Sequence, residues 1–252
     1  MNATIHPLQG FWPFFRKELS QWWRGRGALV TAIVLSALGI LGTLAARIDE
    51  LAGGTPTADQ LDPTRAIAGA QFEQWIVFAT IFASIGMLVN ERSSGTLAWT
   101  LSKPLSRSAL LLAKWVAGTL AMTVFGLAIP LAVAMGVANF AYGSLPEVGT
   151  IVVLALWLAA AAAFILALNL ALATRVQSQG AIAAIAFAIA LTPYIFGTFL
   201  PAVAELWPTA VAHMGTMVAA GEAPNLPTVT VWAATLAIVG AAGLYVFSRE
   251  DM

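Results

Sequence analysis

The sequence predicts an all-α integral membrane protein of six spans. Three observations predict it: the composition, six long apolar stretches without charges at their centres, and the uneven placement of the basic residues. Of the 252 residues, 60% are hydrophobic and only 10% charged, with a mean hydropathy of +0.84, well beyond the apolar share of an average soluble domain. A lipid bilayer is therefore the expected solvent. The formal net charge is zero, which points to no nucleic-acid partner, although such a sum hides where the charges fall. Cysteine is absent, so disulfides and thiolate metal sites are excluded and the redox compartment cannot be read.

A helix needs about 20 mostly apolar residues to cross roughly 30 Å of hydrocarbon at about 1.5 Å per residue. Six segments meet that length within a single domain, 1–252: 28–46, 74–89, 115–138 with Pro130 inside it, 149–173, 180–199 with a kink expected at Pro193, and 229–247. None carries an ionisable residue at its centre, where a charge costs about 2.5–3.5 kcal/mol. Spanning helices are favoured over strands because an isolated strand leaves its backbone groups unpaired in lipid. The first span ends in Leu44-Ala45-Ala46, yet its apolar run exceeds the usual signal-peptide core and an aromatic segment precedes it, so it reads as retained rather than cleaved.

Orientation follows from charge. With the N-terminus inside, Arg16, Lys17, Arg24, Arg26, Arg92, Lys103, Arg107, Lys114, Arg175 and Arg249 are cytoplasmic, leaving Arg47 and Arg65 outside among the twelve basic residues. This is the bias the positive-inside rule requires, and it places both termini in the cytoplasm. The expected location is the cytoplasmic (inner) membrane.

Outside the spans, Phe11, Phe15, Leu19 and Trp22 recur at helical spacing opposite Arg16, Lys17, Ser20, Gln21 and Arg24. Residues 10–26 are thus expected to form an amphipathic elbow lying in the interface, the alternative being an extension of the first span. Residues 47–73 read as a polar external loop. After Pro193, the apolar residues Phe196, Phe199, Leu200, Val203, Leu206 and Trp207, broken by Pro201 and Pro208, predict one or two short helices dipping into the outer leaflet. Most of the nine tryptophans fall near the two interfaces, as in an ordinary aromatic belt.

The cytoplasmic loop 90–107 carries the most specific pattern. Glu91, Gly95, Thr96, Leu97, Leu101, Pro104, Ser106, Arg107 and the downstream Lys114 resemble the ABC-2-type transporter permease family, in which an acidic residue, a Gly-Thr pair, Leu-Ser-x-Pro-x-Ser-Arg and a Lys lie between the second and third spans. Arg16-Lys17-Glu18-Leu19 is similar to the family's N-terminal elbow, and Arg249-Glu250-Asp251 to its short charged tail. The permeases of nitrous oxide reductase maturation and of drug export are among the members it is similar to. The resemblance implies a transmembrane subunit driven by separate ATP-binding cassette ATPase subunits, paired with a second permease copy or homologue, and exporting a substrate. ATP and Mg would be bound by the partner ATPase, with no cofactor in this chain. Residues 90–107 would form a coupling segment, with Leu97, Trp99 and Leu101 presented to a cleft in the ATPase, Glu91 and Arg92 as polar anchors, and Pro104 and Ser106 ending one short helix and capping the next. A different reading stays open: a non-transporting scaffold or mechanotransmitter that remodels a periplasmic partner.

No Gly-x-x-x-x-Gly-Lys-Ser/Thr sequence occurs, so this chain has no P-loop to cradle ATP. Neither a Ser-His-Asp set nor intramembrane paired carboxylates are evident, and the chain is not expected to be an enzyme. His213, Met214 and Met217 offer ligands of the kind Cu(I) takes, but methionine commonly fills gaps in a half-buried helix, and no metal is assigned. Asn169 and Asn139 serve either as interhelical glue or as part of a pathway. The Gly39-x-x-Gly42 and Gly240-Ala-Ala-Gly243 patches allow close packing, within the chain or between copies.

Overall fold

A computed structural model of the chain describes residues 8–58 and 60–249. Six helical segments are long and apolar enough to cross a membrane, and no strand occurs among the described residues. Asp59, Glu250 and Asp251, the last two from the expected charged tail, lie outside the described residues.

Helix α1 (Phe11–Arg24) precedes α2 (Arg26–Leu51), the first span, which is separated from it by extended Gly25. The second span runs through three pieces: α3 (Pro63–Ala68), α4 (Phe72–Ser84) and α5 (Gly86–Ser93). Part of the expected polar loop is thus helical: Asp62 caps α3, its carboxylate accepting from the Thr64 and Arg65 amides, and Pro63 supplies a preset φ. After the short α6 (Thr96–Leu101), the third span comprises α7 (Arg107–Ala121), a π-helical stretch (Met122–Ala128) and α8 (Ile129–Tyr142). Its helix begins at Arg107 because Ser106 accepts a capping hydrogen bond from the Ala109 amide at 3.1 Å. The π stretch lies just before Pro130, which lacks an N–H and would crowd a tight preceding turn.

Helix α9 (Val148–Ala173) is the most buried span and forms the centre of the bundle. It is apolar on every side, and α4, α7, α13 and α12 all pack on it, as expected of a helix enclosed by others. Asn169 fixes one of these contacts: its amide donates to Ser84 Oγ at 2.7 Å and to the Ile81 carbonyl at 3.4 Å. Asn169 therefore acts as glue between α9 and α4. The fifth and sixth spans are α10 (Gln179–Phe196) and α13 (Leu226–Ser248). Pro193 sits in the last turn of α10, and the helix stops at Phe196, short of the expected 199.

Between them lie α11 (Pro201–Glu205), a 3-10 turn (Pro208–Ala212) and α12 (His213–Ala219). Pro201 and Pro208 stand at the first position of their helices, where a missing N–H is tolerated. The segment is anchored by Trp207 Nε1 donating to the Ile189 carbonyl at 2.8 Å and Thr228 Oγ1 to the Glu205 carbonyl at 2.7 Å. Val211, Ala212 and Met214 are buried in the bundle, whereas Phe196, Phe199, Leu200, Val203 and Leu206 earlier in the same connection are exposed, so protein covers only its second half.

The two glycine patches resolve differently. A Cβ on Gly42 would come within 2.7 Å of Ala70 Cα, and one on Gly39 would strike the Phe72 ring. Both glycines seat α2 against the α3–α4 junction within the chain. Gly243 approaches Ala171 of α9, whereas Gly240 has open space around it.

Candidate coupling site

At the end of the bundle that carries α1, the connection between the second and third spans is folded back onto the chain. Gly95 takes a left-handed φ of 71°, which lets α5 turn directly into α6. Ser94 and Thr96 exchange a hydrogen bond at 2.8 Å, and Thr96 Oγ1 also donates to the Glu91 carbonyl at 3.2 Å. The far end of the segment is pinned to the start of α1, where the Ser106 amide donates to the Gln9 carbonyl at 3.0 Å. Phe14, Leu97, Leu105, Ala109, Leu110 and Phe247 share one apolar cluster beneath it.

Inside this apolar setting lies an ion cluster. Lys114, on α7, is only 2% exposed. Its Nζ stands 3.1 Å from Glu18 Oε2 of α1 and 2.9 Å from Glu91 Oε1 of α5. Lys17 lies 3.2 Å from Glu18 and 3.7 Å from Glu91, closing a ring of two acids and two bases. The Phe14 ring faces both ammonium groups, at 4.7 Å from Lys17 and 5.6 Å from Lys114, a placement that favours cations electrostatically. A buried charge is tolerated only when it is paired in this way. One acceptor is left over: Glu91 Oε2 is buried without a hydrogen-bond partner. The cluster borders a cleft of about 550 Å³ lined by Gln21, Glu91, Thr96, Trp99 and Lys114 among others.

Two arginines extend the brace. Arg92 donates to the Ala173 and Thr174 carbonyls at 2.8 and 3.0 Å, and Arg107 to the Phe247 carbonyl at 3.1 Å. Each guanidinium thereby meets the C-terminal end of a span, α9 and α13, where free carbonyls and the helix dipole favour a cation. Asn90 and Gln179 add a side-chain hydrogen bond from α5 to α10.

The residues expected to face a partner together do not share a face. Leu97 is 1% exposed and belongs to the internal cluster, Leu101 is half-buried, and Trp99 is 65% exposed. Positions two apart on an α-helix are rotated by about 200°, so Leu97 and Trp99 must diverge. Thr96 and Pro104 are exposed alongside Trp99, and Lys103 Nζ stands over the indole at 3.7 Å from its centroid. Glu91 and Arg92 turn into the chain as braces. On α1, the fully buried positions are Phe14 and Glu18, with Phe11, Phe15, Leu19 and Trp22 only partly covered. Glu18 four residues after Phe14 was the available signal for the ion cluster, since an acid on a buried row demands a cation opposite.

Six apolar helices, one of them a buried central span, with a braced polar connection at one end, define a multi-pass membrane protein. The family model described as ABC-2 family transporter protein matches residues 12–252, and the chain belongs to that family. It is thus a permease component of an ABC transporter, and membership implies an ATP-binding cassette ATPase as partner. No curated protein matches the chain.

Proposed function

We propose that this chain forms the membrane pathway of an ABC exporter and that residues 90–107, facing the cytoplasm, receive the motion of a separate ATPase subunit that binds ATP and Mg. The observation that carries this reading is the buried Lys114 held between Glu18 and Glu91. Through it, a displacement of α6 is shared by α1, α5 and α7 at once, because separating any two members would strand a charge in an apolar cluster. Arg92 and Arg107 pass the same displacement to the ends of α9 and α13. The connection behaves as a rigid lever rather than a slack loop. Its outward surface is Thr96, Trp99 and Lys103, an aromatic anchor with a cation above it, the residue type that dominates binding hot spots.

Docking of the ATPase would also offer a donor to the unpartnered Glu91 oxygen through the adjoining cleft. A second permease, identical or homologous, completes the pathway. A photo-crosslinking residue at Trp99 in the assembled transporter tests the reading: the adduct should contain the ATPase, and the same residue at Phe140, exposed at the opposite end of the bundle, should give none. Adducts at Phe140 and none at Trp99 would reverse the assignment.

A further inference from the structure

At the end of the bundle opposite α1, a second constellation surrounds a cavity of about 380 Å³ walled by α4, α10, α11, the 3-10 turn and α12. Glu73 enters from the first turn of α4, and its Oε2 accepts from the His213 ring at 3.1 Å and from Thr216 Oγ1 at 3.5 Å. Glu205 lines the same space, and no Lys or Arg is among the described residues that do. Even with His213 protonated, two carboxylates against one imidazolium leave the lining net negative. The remaining wall is apolar and aromatic, with Val77, Phe78, Tyr194, Met214 and Met217. Thr209 also lines the cavity, is 7% exposed, and its Oγ1 has no hydrogen-bond partner. A buried hydroxyl left in that condition is costly unless something visits it.

We infer that this cavity is a binding site for an amphipathic organic monocation, an amine whose charged head meets Glu73, Glu205 and the Thr209 hydroxyl while its apolar body lies along Phe78, Tyr194 and the two methionines. The volume falls within the about 300–1,000 Å³ typical of small-molecule sites, which combine an apolar lining with a few convergent polar groups. An ammonium supplies donors and no acceptor, matching a wall whose strongest unsatisfied demand is for donors. Methionine adapts its shape to varied apolar bodies, so selection rests on charge more than on the outline of the ligand. The site lies in this one chain and does not depend on residues 90–107, so it stands whether or not the coupling reading holds.

Dansylcadaverine, a fluorescent primary amine, is a suitable probe, titrated against the full chain in nanodiscs of zwitterionic phosphatidylcholine. Its N-acetyl derivative has nearly the same shape without the charge. The site requires saturable binding of the amine at one equivalent per chain, at least about tenfold weaker binding of the acetylated compound, and a comparable loss in Glu73→Gln. Glu205→Gln, at an exposed residue, guards against a folding defect in Glu73→Gln and should also weaken binding, whereas Glu50→Gln, remote on α2, should not. No binding above that of empty nanodiscs, equal affinity for the acetylated probe, or equal loss in Glu50→Gln would overturn the inference.

Discussion

Replacing Lys114 by Met keeps the length of the side chain and removes its charge. Because Lys114 is almost fully enclosed and pairs with both Glu18 and Glu91, the substitution leaves two carboxylates facing one another with only the half-exposed Lys17 between them. Breaking a buried pair by deleting one partner costs about 3–5 kcal/mol. At about 2–4 °C per kcal/mol for a chain of this size, thermal unfolding in detergent should fall by roughly 6–20 °C. The triple variant Glu18→Gln, Glu91→Gln, Lys114→Met should recover most of the loss, since neutralising the three enclosed members removes the stranded charges and leaves only the half-exposed Lys17. It should nevertheless transmit ATPase motion poorly, which separates stability from coupling. A Lys114→Met protein that melts with the wild type, or a triple variant no better than the single one, would refute the account of the cluster as a mutually dependent unit.

Other outcomes follow from the same structure. Trp99→Ala should leave stability within about 0.5 kcal/mol, as for an ordinary surface change, yet reduce retention of the ATPase in co-purification; Leu97→Ala, in the core, should cost about 2–5 kcal/mol of stability. Gly42→Ala should destabilise by about 1–3 kcal/mol because the new methyl meets the Ala70 backbone, while Gly240→Ala, with open space around it, should be neutral or slightly stabilising in the same melting assay. The His213 pKa is raised above its ordinary value of 6.5, chiefly by the hydrogen bond to Glu73 and against the lowering effect of burial. A group whose folded-state pKa is raised contributes stability that is complete below the unfolded value and is lost as pH rises through the folded one. Wild type should thus melt above His213→Gln at pH 5.5, and the difference should shrink by pH 8.5.

The spans were legible because the bilayer imposes a length and forbids central charges, so composition and spacing alone delimit them. Ser106 was legible as a cap for the same local reason: its signal lies within three residues. The centrality of α9 was not legible, since which apolar helix is enclosed depends on the other five. The ion cluster was partly visible. Glu91 and Lys114 appeared through the family pattern, and Glu18 stood in the elbow, yet residues 96 positions apart in sequence meet only once α1 has docked on α7. The divergence of Leu97 from Trp99 follows from helical geometry alone, since positions two apart lie on opposite sides of a helix. The π-helical stretch has a local mark in Pro130, which follows it, whereas the cavity around Glu73 arises from tertiary packing and no local pattern marks it.

The most direct test of the lever uses the absence of native cysteine. Ser102→Cys, at an exposed position on the segment, is treated with a membrane-impermeant maleimide in inside-out and right-side-out vesicles, with and without the ATPase. Labelling should occur from the cytoplasmic side alone and should be blocked by the assembled ATPase. Labelling from the external side, or reactivity unchanged by the ATPase, would contradict the claim that this connection couples nucleotide hydrolysis to the membrane pathway.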